Sequence, residues 1–249
     1  TTIARPHGRD LPWDEGAGCG APRQGSELPG PPDRIGPAPL ATEADRYDKL
    51  RSPSPYFAMK DEMEAEVTRA AVEGMPAVIV NPSLCVDAWD AQPTTGKLLL
   101  AVAQGMPFYL PGKMNVVATR DVAEAMVNAV ALGRTGQRYI LGTENTTARA
   151  FLSLVARVAG VPPPAVPLPV PLAQMAAWIT EVANLALRRP WPALPMSGVE
   201  MLRLGQWYDT TLAHEELRMP VTPIETAVTD ALDWLRENGY GKRRGGSGR

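Results

Sequence analysis

Apolar positions recur along this chain with two spacings, one typical of buried strands and one typical of helices. Ala77 to Val80 is an unbroken apolar run, and residues 115–118 and 138–142 are further short extended pieces. Apolar residues at helical spacing run from Val122 to Leu132 and from Ile224 to Glu237. Strands that alternate with helices of this length indicate an α/β fold with a mainly parallel sheet.

Glycines and prolines mark where the predicted helices end. Gly133 follows the helix that begins near Asp121, which we interpret as a helix cap, and Gly160 follows a helix that starts at Thr146 or Thr147. Helices are also predicted over residues 96–104, 172–188, 199–204 and 212–217. The last third of the chain is therefore mostly helical, between proline-rich crossings.

The two ends of the chain lack such patterns. From Pro6 to Pro55 there are ten prolines and seven glycines, a composition that buries little surface, so residues 1–55 are predicted to be a loop or a disordered segment. Gly16 to Gly20 looks like a phosphate-binding turn, but no strand precedes it and no helix follows it, so we interpret it as plain loop. Residues 241–249 are expected to be a disordered tail.

The chemistry-bearing stretch is Tyr56-Phe-Ala-Met-Lys60, at the start of a predicted helix that continues to Glu73. Residues four apart lie on one helical face, so the phenol and the ammonium can converge on one point. A phenol beside a cation ionises more easily and can exchange a proton with an alcohol or a carbonyl. A surface aromatic beside a solvated lysine is the alternative interpretation.

A second pair with the same spacing, Tyr109 and Lys113, encloses Pro111 and Gly112. These two residues break a helix, so we expect the second pair not to share a helical face.

Composition narrows the class of protein. A net charge of −2 over 249 residues gives no electrostatic reason to expect nucleic acid. Two cysteines form neither a disulfide framework nor a zinc set, and two histidines exclude a His-rich metal centre, so no metal is expected. The most apolar long segment, residues 166–187, contains Glu181 and favours an amphipathic helix over a membrane span. The default is a reduced, cytoplasmic protein.

The order of these motifs resembles an extended short-chain dehydrogenase/reductase of the NAD-dependent epimerase/dehydratase group. The residues that carry the resemblance are Tyr56-x-x-x-Lys60, Val78-Ile-Val-Asn-Pro-Ser83, Asn115-Val-Val-Ala-Thr-Arg-Asp-Val122 and Tyr139-Ile-Leu-Gly142. The similarity is greatest to hopanoid-associated sugar epimerases and dihydroflavonol-4-reductase-like enzymes. It implies a partial Rossmann-like parallel sheet, a smaller and mostly helical C-terminal substrate lobe, and NAD or NADP as cofactor.

The resemblance also implies roles for particular residues. Tyr56 would be the general acid and base, and Lys60 would assist it as a second catalytic residue. Both would contact the cofactor, where Lys60 would hold the nicotinamide ribose. Thr2, with Thr1 as its rival, would be the third catalytic residue. The remaining implied contacts are Asn81, Pro82 and Ser83 beside the nicotinamide, and Asn81, Asn115 and Arg120 at the substrate. A homodimer through the Tyr56 helix is a further expectation.

The same resemblance implies an organisation in lobes. Residues 56–145 would be the C-terminal half of a Rossmann-like domain, with part of the substrate lobe inserted at about 84–115, and residues 146–240 would be the substrate lobe. The Gly-x-x-Gly-x-x-Gly turn of the family does not occur in the sequence. We therefore expect a truncated chain that binds the cofactor poorly by itself.

Three functions follow as hypotheses. The first is NAD(P)-dependent oxidoreduction or epimerisation at a hydroxyl or carbonyl of a sugar-like or polycyclic small molecule. The second is a non-catalytic binding or scaffold module, or an inactive remnant of such an enzyme. The third, an unrelated hydrolase, is disfavoured because no Gly-x-Ser-x-Gly elbow occurs.

Overall fold

The computed structural model describes residues 2–4, 40–45, 55–187, 196–205 and 207–240, and these ranges hold eight strands and eight helices. Thr1, the Gly16–Gly20 turn and residues 241–249 lie outside the described residues. The strands are β1 (Thr2–Ala4), β2 (Ala77–Pro82), β3 (Leu84–Val86), β4 (Phe108–Tyr109), β5 (Lys113–Ala118), β6 (Arg138–Leu141), β7 (Glu144–Thr147) and β8 (Val166–Pro167). The helices are α1 (Pro55–Val72), α2 (Thr95–Ala103), α3 (Thr119–Leu132), α4 (Ala148–Ala159), α5 (Val170–Leu187), α6 (Met196–Arg203), α7 (Thr211–Glu216) and α8 (Ile224–Glu237).

The helices with strong apolar periodicity lie where the sequence predicts them. α8 has the predicted bounds, and α4 begins and ends at the predicted signals. The side chain of Thr147 accepts a hydrogen bond from the amide of Ala150 at 3.2 Å, which caps α4. Gly160 ends α4 with a φ of 73°, in the left-handed region that glycine enters without steric cost.

The first sheet has the order β1-β2-β6 and holds one parallel and one antiparallel pairing. β2 and β6 run parallel, with Val80 opposite Tyr139. β1 runs antiparallel to β2, with Thr2 opposite Ile79, so part of the segment predicted to be loop is a strand. A three-residue strand has too few residues for period-two alternation to reveal it in the sequence.

The second sheet, of order β3-β5-β7, contains two strands that the sequence analysis missed. β3 pairs parallel with β5 and β7 pairs antiparallel with it, so the sheets are mixed rather than uniformly parallel. β3 follows β2 after one residue, and β7 holds only polar residues. β3 is an apolar run of only three residues, too short to stand apart from β2, and β7 carries no apolar run at all.

Two hydrophobic clusters follow these two sheets. The first is built from β3, β5, α2, α4 and α8, and its largest fully buried members include Phe151, Leu99 and Leu235. The second is built from β2, β6, α3 and α7 around Val80 and Tyr139, and Val117 of β5 joins it. The predicted lobes, residues 56–145 with an insertion at about 84–115 and residues 146–240, stay a prediction.

β4 and β8 pair as a short third sheet, beside a small cluster of Leu110, Ala173, Ala177 and Val199 that joins α5 to α6. Tyr109 ends β4 and Lys113 begins β5. The prediction that this pair does not share a helical face is therefore confirmed.

Asp121 is not the cap of α3. The N-cap position belongs to Ala118, and Asp121 lies in the first helical turn with 1% of its surface exposed. Its carboxylate accepts hydrogen bonds from the amide and the hydroxyl of Thr222, each at 2.7 Å. Asp121 therefore joins α3 to the segment that leads into α8.

Among the residues that the structure describes, no helix is both long enough and apolar enough to cross a membrane.

Candidate active site

Tyr56 and Lys60 share one face of α1, as the spacing predicts. The ammonium nitrogen of Lys60 lies 5.9 Å from the centre of the Tyr56 ring, within reach of a cation–π interaction. Phe57 packs edge-on against the same ring, with centroids 5.3 Å apart. Tyr56 is 40% exposed and Lys60 is also exposed, so a ligand can approach both groups.

Glu64 continues this stripe by one further turn and connects it to the sheet. Its Oε2 accepts a hydrogen bond from Nδ2 of Asn81 at 3.1 Å, and its Oε1 pairs with the guanidinium of Arg138. Arg138 also donates to the backbone carbonyls of Glu43 and Asp45. The sequence analysis missed Glu64, although its spacing of four from Lys60 was a usable signal.

Asn81, Pro82 and Ser83 follow the buried part of β2, at the carboxyl end of a parallel pair of strands. The amide of Ser83 donates to the carbonyl of Leu141 at 2.9 Å, and its hydroxyl donates to Oδ1 of Asn115 at 2.7 Å. In open parallel sheets, ligands bind at the carboxyl ends of the strands. The structure therefore brings Asn81 to the α1 stripe and Ser83 to Asn115.

Asn115 is buried, with 3% of its surface exposed, and its side chain is bonded within the fold. Besides accepting from Ser83, it donates to Oδ1 of Asn145 at 2.9 Å. Asn145 in turn exchanges hydrogen bonds with the backbone of Tyr208, at 2.8 and 2.9 Å. This geometry favours a positioning role for Asn115 over direct contact with a substrate, and that contact stays a prediction.

Arg120 lies at the start of α3 and is bonded to two carboxylates. Its Nε donates to Asp87 at 2.7 Å, and its Nη2 donates to both Asp87 and Asp230. These hydrogen bonds raise the pKa of Arg120, although its own desolvation opposes them. The carboxylates of Asp87 and Asp230 already balance the charge of Arg120. The predicted contact of Arg120 with a substrate stays a prediction.

Thr2 is placed by its backbone register alone. It lies opposite Ile79 in the antiparallel pairing of β1 with β2, two residues before Asn81. The strand that carries Thr2 therefore flanks the strand that ends at the site. Its catalytic role stays a prediction.

A pocket of about 290 Å³ opens at the carboxyl end of β3, between the first turns of α2 and α3. Its lining includes Asp87, Trp89 and Asp90 from the segment after β3, together with Leu99 of α2 and Thr119 of α3. Burial also raises the pKa of the Cys85 thiol, which lines the same pocket. The sequence analysis assigned no role to these residues, since nothing in their spacing shows that three elements converge on them.

Comparison with known proteins supports the predicted relationship. No family model matches the chain. It is 37% identical over 193 residues to a putative dihydroflavonol 4-reductase of Synechocystis, which covers 75% of this chain and 56% of the relative. It is 30% identical over 187 residues to sterol demethylase protein B of Methylococcus capsulatus, with coverage of 74% and 57%. The chain thus spans a little over half the length of these curated relatives.

Solved structures agree with this result. A nucleoside-diphosphate-sugar epimerase from Pseudomonas aeruginosa matches with a TM-score of 0.65 and 27% identity, over 81% of this chain and 62% of its own. The Bordetella bronchiseptica enzyme WbmF, solved with NADH, shares the fold with a TM-score of 0.56 and 15% identity, over 80% and 58% of the two chains.

These matches confirm the predicted resemblance, because this chain is similar to a dihydroflavonol 4-reductase over 75% of its length and to a nucleoside-diphosphate-sugar epimerase over 81%. They also confirm the fold class, a partial Rossmann-like sheet with a smaller, mostly helical lobe.

Proposed function

We propose that this chain is the catalytic-helix and substrate-lobe portion of an NAD(P)-dependent oxidoreductase or epimerase. Its substrate would be a small molecule that reacts at a hydroxyl or a carbonyl group. The observation that carries the proposal is the stripe of Tyr56, Lys60 and Glu64 on α1, whose last member is bonded to Asn81 at the end of β2. A phenol and an ammonium beside the ligand-binding edge of a parallel sheet have the composition of a proton-transfer site.

The described residues fit one half of the cofactor. Lys60 offers a cation and three donors for ribose hydroxyls, and the peptide from Asn81 to Ser83 lies at the sheet edge where a nicotinamide ring would stack. Among the described residues, no glycine-rich turn of the kind that binds a pyrophosphate joins a strand to a helix N-terminus. The described residues therefore fit the nicotinamide and its ribose.

Proton transfer would belong to Tyr56. When bound, the nicotinamide supplies or accepts the hydride. As a carbonyl becomes an alcohol, the Tyr56 hydroxyl would donate its proton to the substrate oxygen, and it would take the proton back in the reverse direction. The ammonium of Lys60 would hold the nicotinamide ribose beside the phenol. Through its hydrogen bond with Asn81, Glu64 would hold α1, and with it Tyr56 and Lys60, at the carboxyl end of β2.

Titration of the purified chain with NADH and NADPH tests this proposal. Energy transfer from tryptophan to the reduced nicotinamide is read, with circular dichroism as the check on folding. We expect weak but saturable binding, because only the nicotinamide-ribose half of the cofactor is fitted. The affinity should fall at least tenfold, about 1.4 kcal/mol, in Lys60→Met and change less than twofold in Tyr56→Phe. Lys97→Met, at another exposed lysine, is the matched control.

Either of two results would contradict the proposal. One is a folded chain with no saturable binding of either nucleotide at millimolar concentration. The other is equal loss of affinity in Lys60→Met and Lys97→Met, because the effect would then come from general charge rather than from the site.

The expected homodimer through α1 and the cytoplasmic location stay predictions. Met59 and Met63, one turn apart on α1, are 51% and 56% exposed and support such an interface. Light scattering of the wild-type chain and of Met63→Glu would test it, since a charge at the centre of an apolar contact prevents association.

A further inference from the structure

A short segment at residues 40–45, here called the strap, connects the chain between α6 and α7 to the first sheet. The amide of Ala41 donates to the carbonyl of Trp207 at 2.8 Å, and the carbonyl of Ala41 accepts from the amide of Asp209 at 2.9 Å. Residues 207–209 lie between α6 and α7, and α6 packs on α5. The strap therefore holds the chain at the point where it leaves the α5–α6 pair.

The far end of the strap lies against β6. Oε1 of Glu43 accepts a hydrogen bond from the amide of Ile140 at 3.0 Å. Within the strap, Oδ2 of Asp45 accepts from the amide of Thr42 at 2.7 Å. Toward Arg138, the first residue of β6, the strap presents the backbone carbonyls of Glu43 and Asp45. Carbonyl oxygens can only accept, so they require a donor at this position.

Arg138 supplies that donor and joins the strap to α1. Its Nε donates to the carbonyl of Glu43 at 3.1 Å, and its Nη2 donates to the carbonyl of Asp45 at 2.7 Å. Its Nη1 pairs with Oε1 of Glu64 on α1. Only 13% of the Arg138 side chain and 22% of the Glu64 side chain are exposed, so water and salt screen the pair weakly. A guanidinium makes these three contacts in one rigid plane, whereas the single nitrogen of a lysine does not.

The pair with Arg138 fixes the position of Lys60 through Glu64. Glu64 lies one turn after Lys60 on the same face of α1, and its Oε2 accepts from the side chain of Asn81 at 3.1 Å. Without Arg138, Glu64 would lose the cation that balances its largely buried charge, which favours rotation of the carboxylate into water. That rotation would release Asn81, and Lys60 would no longer be held beside the end of β2.

A second set of hydrogen bonds starts from the same 207–209 segment and ends elsewhere. The backbone of Tyr208 exchanges hydrogen bonds with Asn145, at 2.8 and 2.9 Å. Asn145 accepts from Asn115, which accepts from the hydroxyl of Ser83. All four residues lie outside α1. A change at Asn145 therefore serves as a comparison for a change at Arg138.

We propose that Arg138 is a positioning residue for the reaction. It joins α1 to β6 and to the strap, and so places Lys60 where the ribose of the nicotinamide would bind. The proposal rests on the proposed function and adds to it the residue through which the helix takes its position. The guanidinium of Arg138 is directed to Glu64 and the strap rather than to a ligand. Its effect on binding would therefore be exerted through Lys60 and would vanish when Lys60 is absent.

A double-mutant cycle on NADH affinity, read by energy transfer from tryptophan, tests this dependence. We expect the affinity to fall at least about fivefold in Arg138→Met and, because a lysine cannot also bond the strap, at least about threefold in Arg138→Lys. In a Lys60→Met background, Arg138→Met should lower the affinity by less than about twofold. Arg157→Met is the control, since the pair of Arg157 with Glu225 is exposed on both sides, and its affinity should stay within about twofold of the wild type.

Deuterium uptake by the cofactor-free chain examines the placement of α1 without any nucleotide. Peptides from α1 should take up deuterium at least about threefold faster in Arg138→Met than in the wild type. In Asn145→Ala their uptake should stay within about twofold of the wild type, because that set of hydrogen bonds ends at Ser83. Circular dichroism checks folding, and Arg138→Lys takes the place of Arg138→Met if the latter does not fold.

Unchanged uptake by α1 in Arg138→Met would overturn the proposal. So would equal factors of lost affinity with and without Lys60, because such losses come from general destabilisation rather than from the position of Lys60. If the wild type binds no NADH while Arg138→Met speeds uptake by α1, the proposed function is wrong and Arg138 has a structural role only. If NADH binds and Arg138→Met changes neither readout, the positioning role is wrong and the proposed function stands.

Discussion

The side-chain amide of Asn81 lies 3.1 Å from Oε2 of Glu64, and this hydrogen bond joins the end of β2 to the helix that carries Tyr56 and Lys60. The other oxygen of Glu64 pairs with Arg138 on β6, and both side chains of this pair are largely buried. One carboxylate therefore fixes the helix relative to two neighbouring strands.

Replacement of Glu64 is expected to loosen this connection. Glu64→Ala leaves the Asn81 amide without its carboxylate partner and removes the pair with Arg138, so we expect a loss of about 1–3 kcal/mol in the free energy of unfolding. Urea denaturation measures this loss. Glu66→Ala is the control, because the pair of Glu66 with Arg69 is exposed on both sides and such pairs contribute at most about 1 kcal/mol. Equal losses in the two variants would contradict the role given to Glu64.

Gly142 is expected to tolerate no side chain. A β-carbon there would lie 2.2 Å from Oδ1 of Asn115 and 2.9 Å from Cγ2 of Thr210, so we expect Gly142→Ala to destabilise the protein by about 1–3 kcal/mol or more. In an Asn115→Ala background the same change should cost less, because the closest atom is gone. A double-mutant cycle by thermal unfolding measures the difference, and strict additivity would contradict this account.

Asp87 is expected to make stability fall in acid. Its pKa in the folded chain is below the ordinary value of 3.8, so its contribution is fully present above that value and is lost as the pH falls through the folded pKa. The difference in unfolding free energy between wild type and Asp87→Asn should therefore be constant above about pH 5 and shrink below about pH 4. A difference that stays the same down to pH 3 would exclude this contribution from Asp87.

Asp121 is expected to matter for stability through Thr222. Asp121→Ala leaves the half-buried amide and hydroxyl of Thr222 without an acceptor, and we expect a loss of about 1–3 kcal/mol in the free energy of unfolding. Asp121→Asn keeps an oxygen acceptor and should lose less, and Thr222→Val should remove the hydroxyl part alone. Chemical denaturation of the three variants tests this order, and a neutral Asp121→Ala would be inconsistent with it.

The sequence predicted the elements whose pattern is local. α8 was predicted to the residue and α4 to its cap, because apolar periodicity, Thr147 and Gly160 all lie within the element itself. The pairing of Tyr56 with Lys60 was predicted for the same reason, since four residues define it.

What the sequence did not show depends on partners far along the chain. Asp121 looked like a cap because its partner, Thr222, lies 101 residues away. The polar strand β7 is stabilised by pairing with β5 rather than by its own residues, and β1 is too short to show a period. The pocket beside Trp89 requires three elements that only the fold brings together.

The helix that carries Tyr56 and Lys60 is attached to the sheet in an unusual way. No residue of α1, which lies entirely within the described part of the chain, is buried, whereas α3, α4 and α8 each bury at least four residues. Little apolar surface would be exposed if α1 separated from the sheet, so its local opening requires less free energy than global unfolding. Amide hydrogens of α1 should therefore exchange before those of β2 and β6. Proton transfer by Tyr56 would then depend on a helix whose packing against the sheet a bound ligand can stabilise.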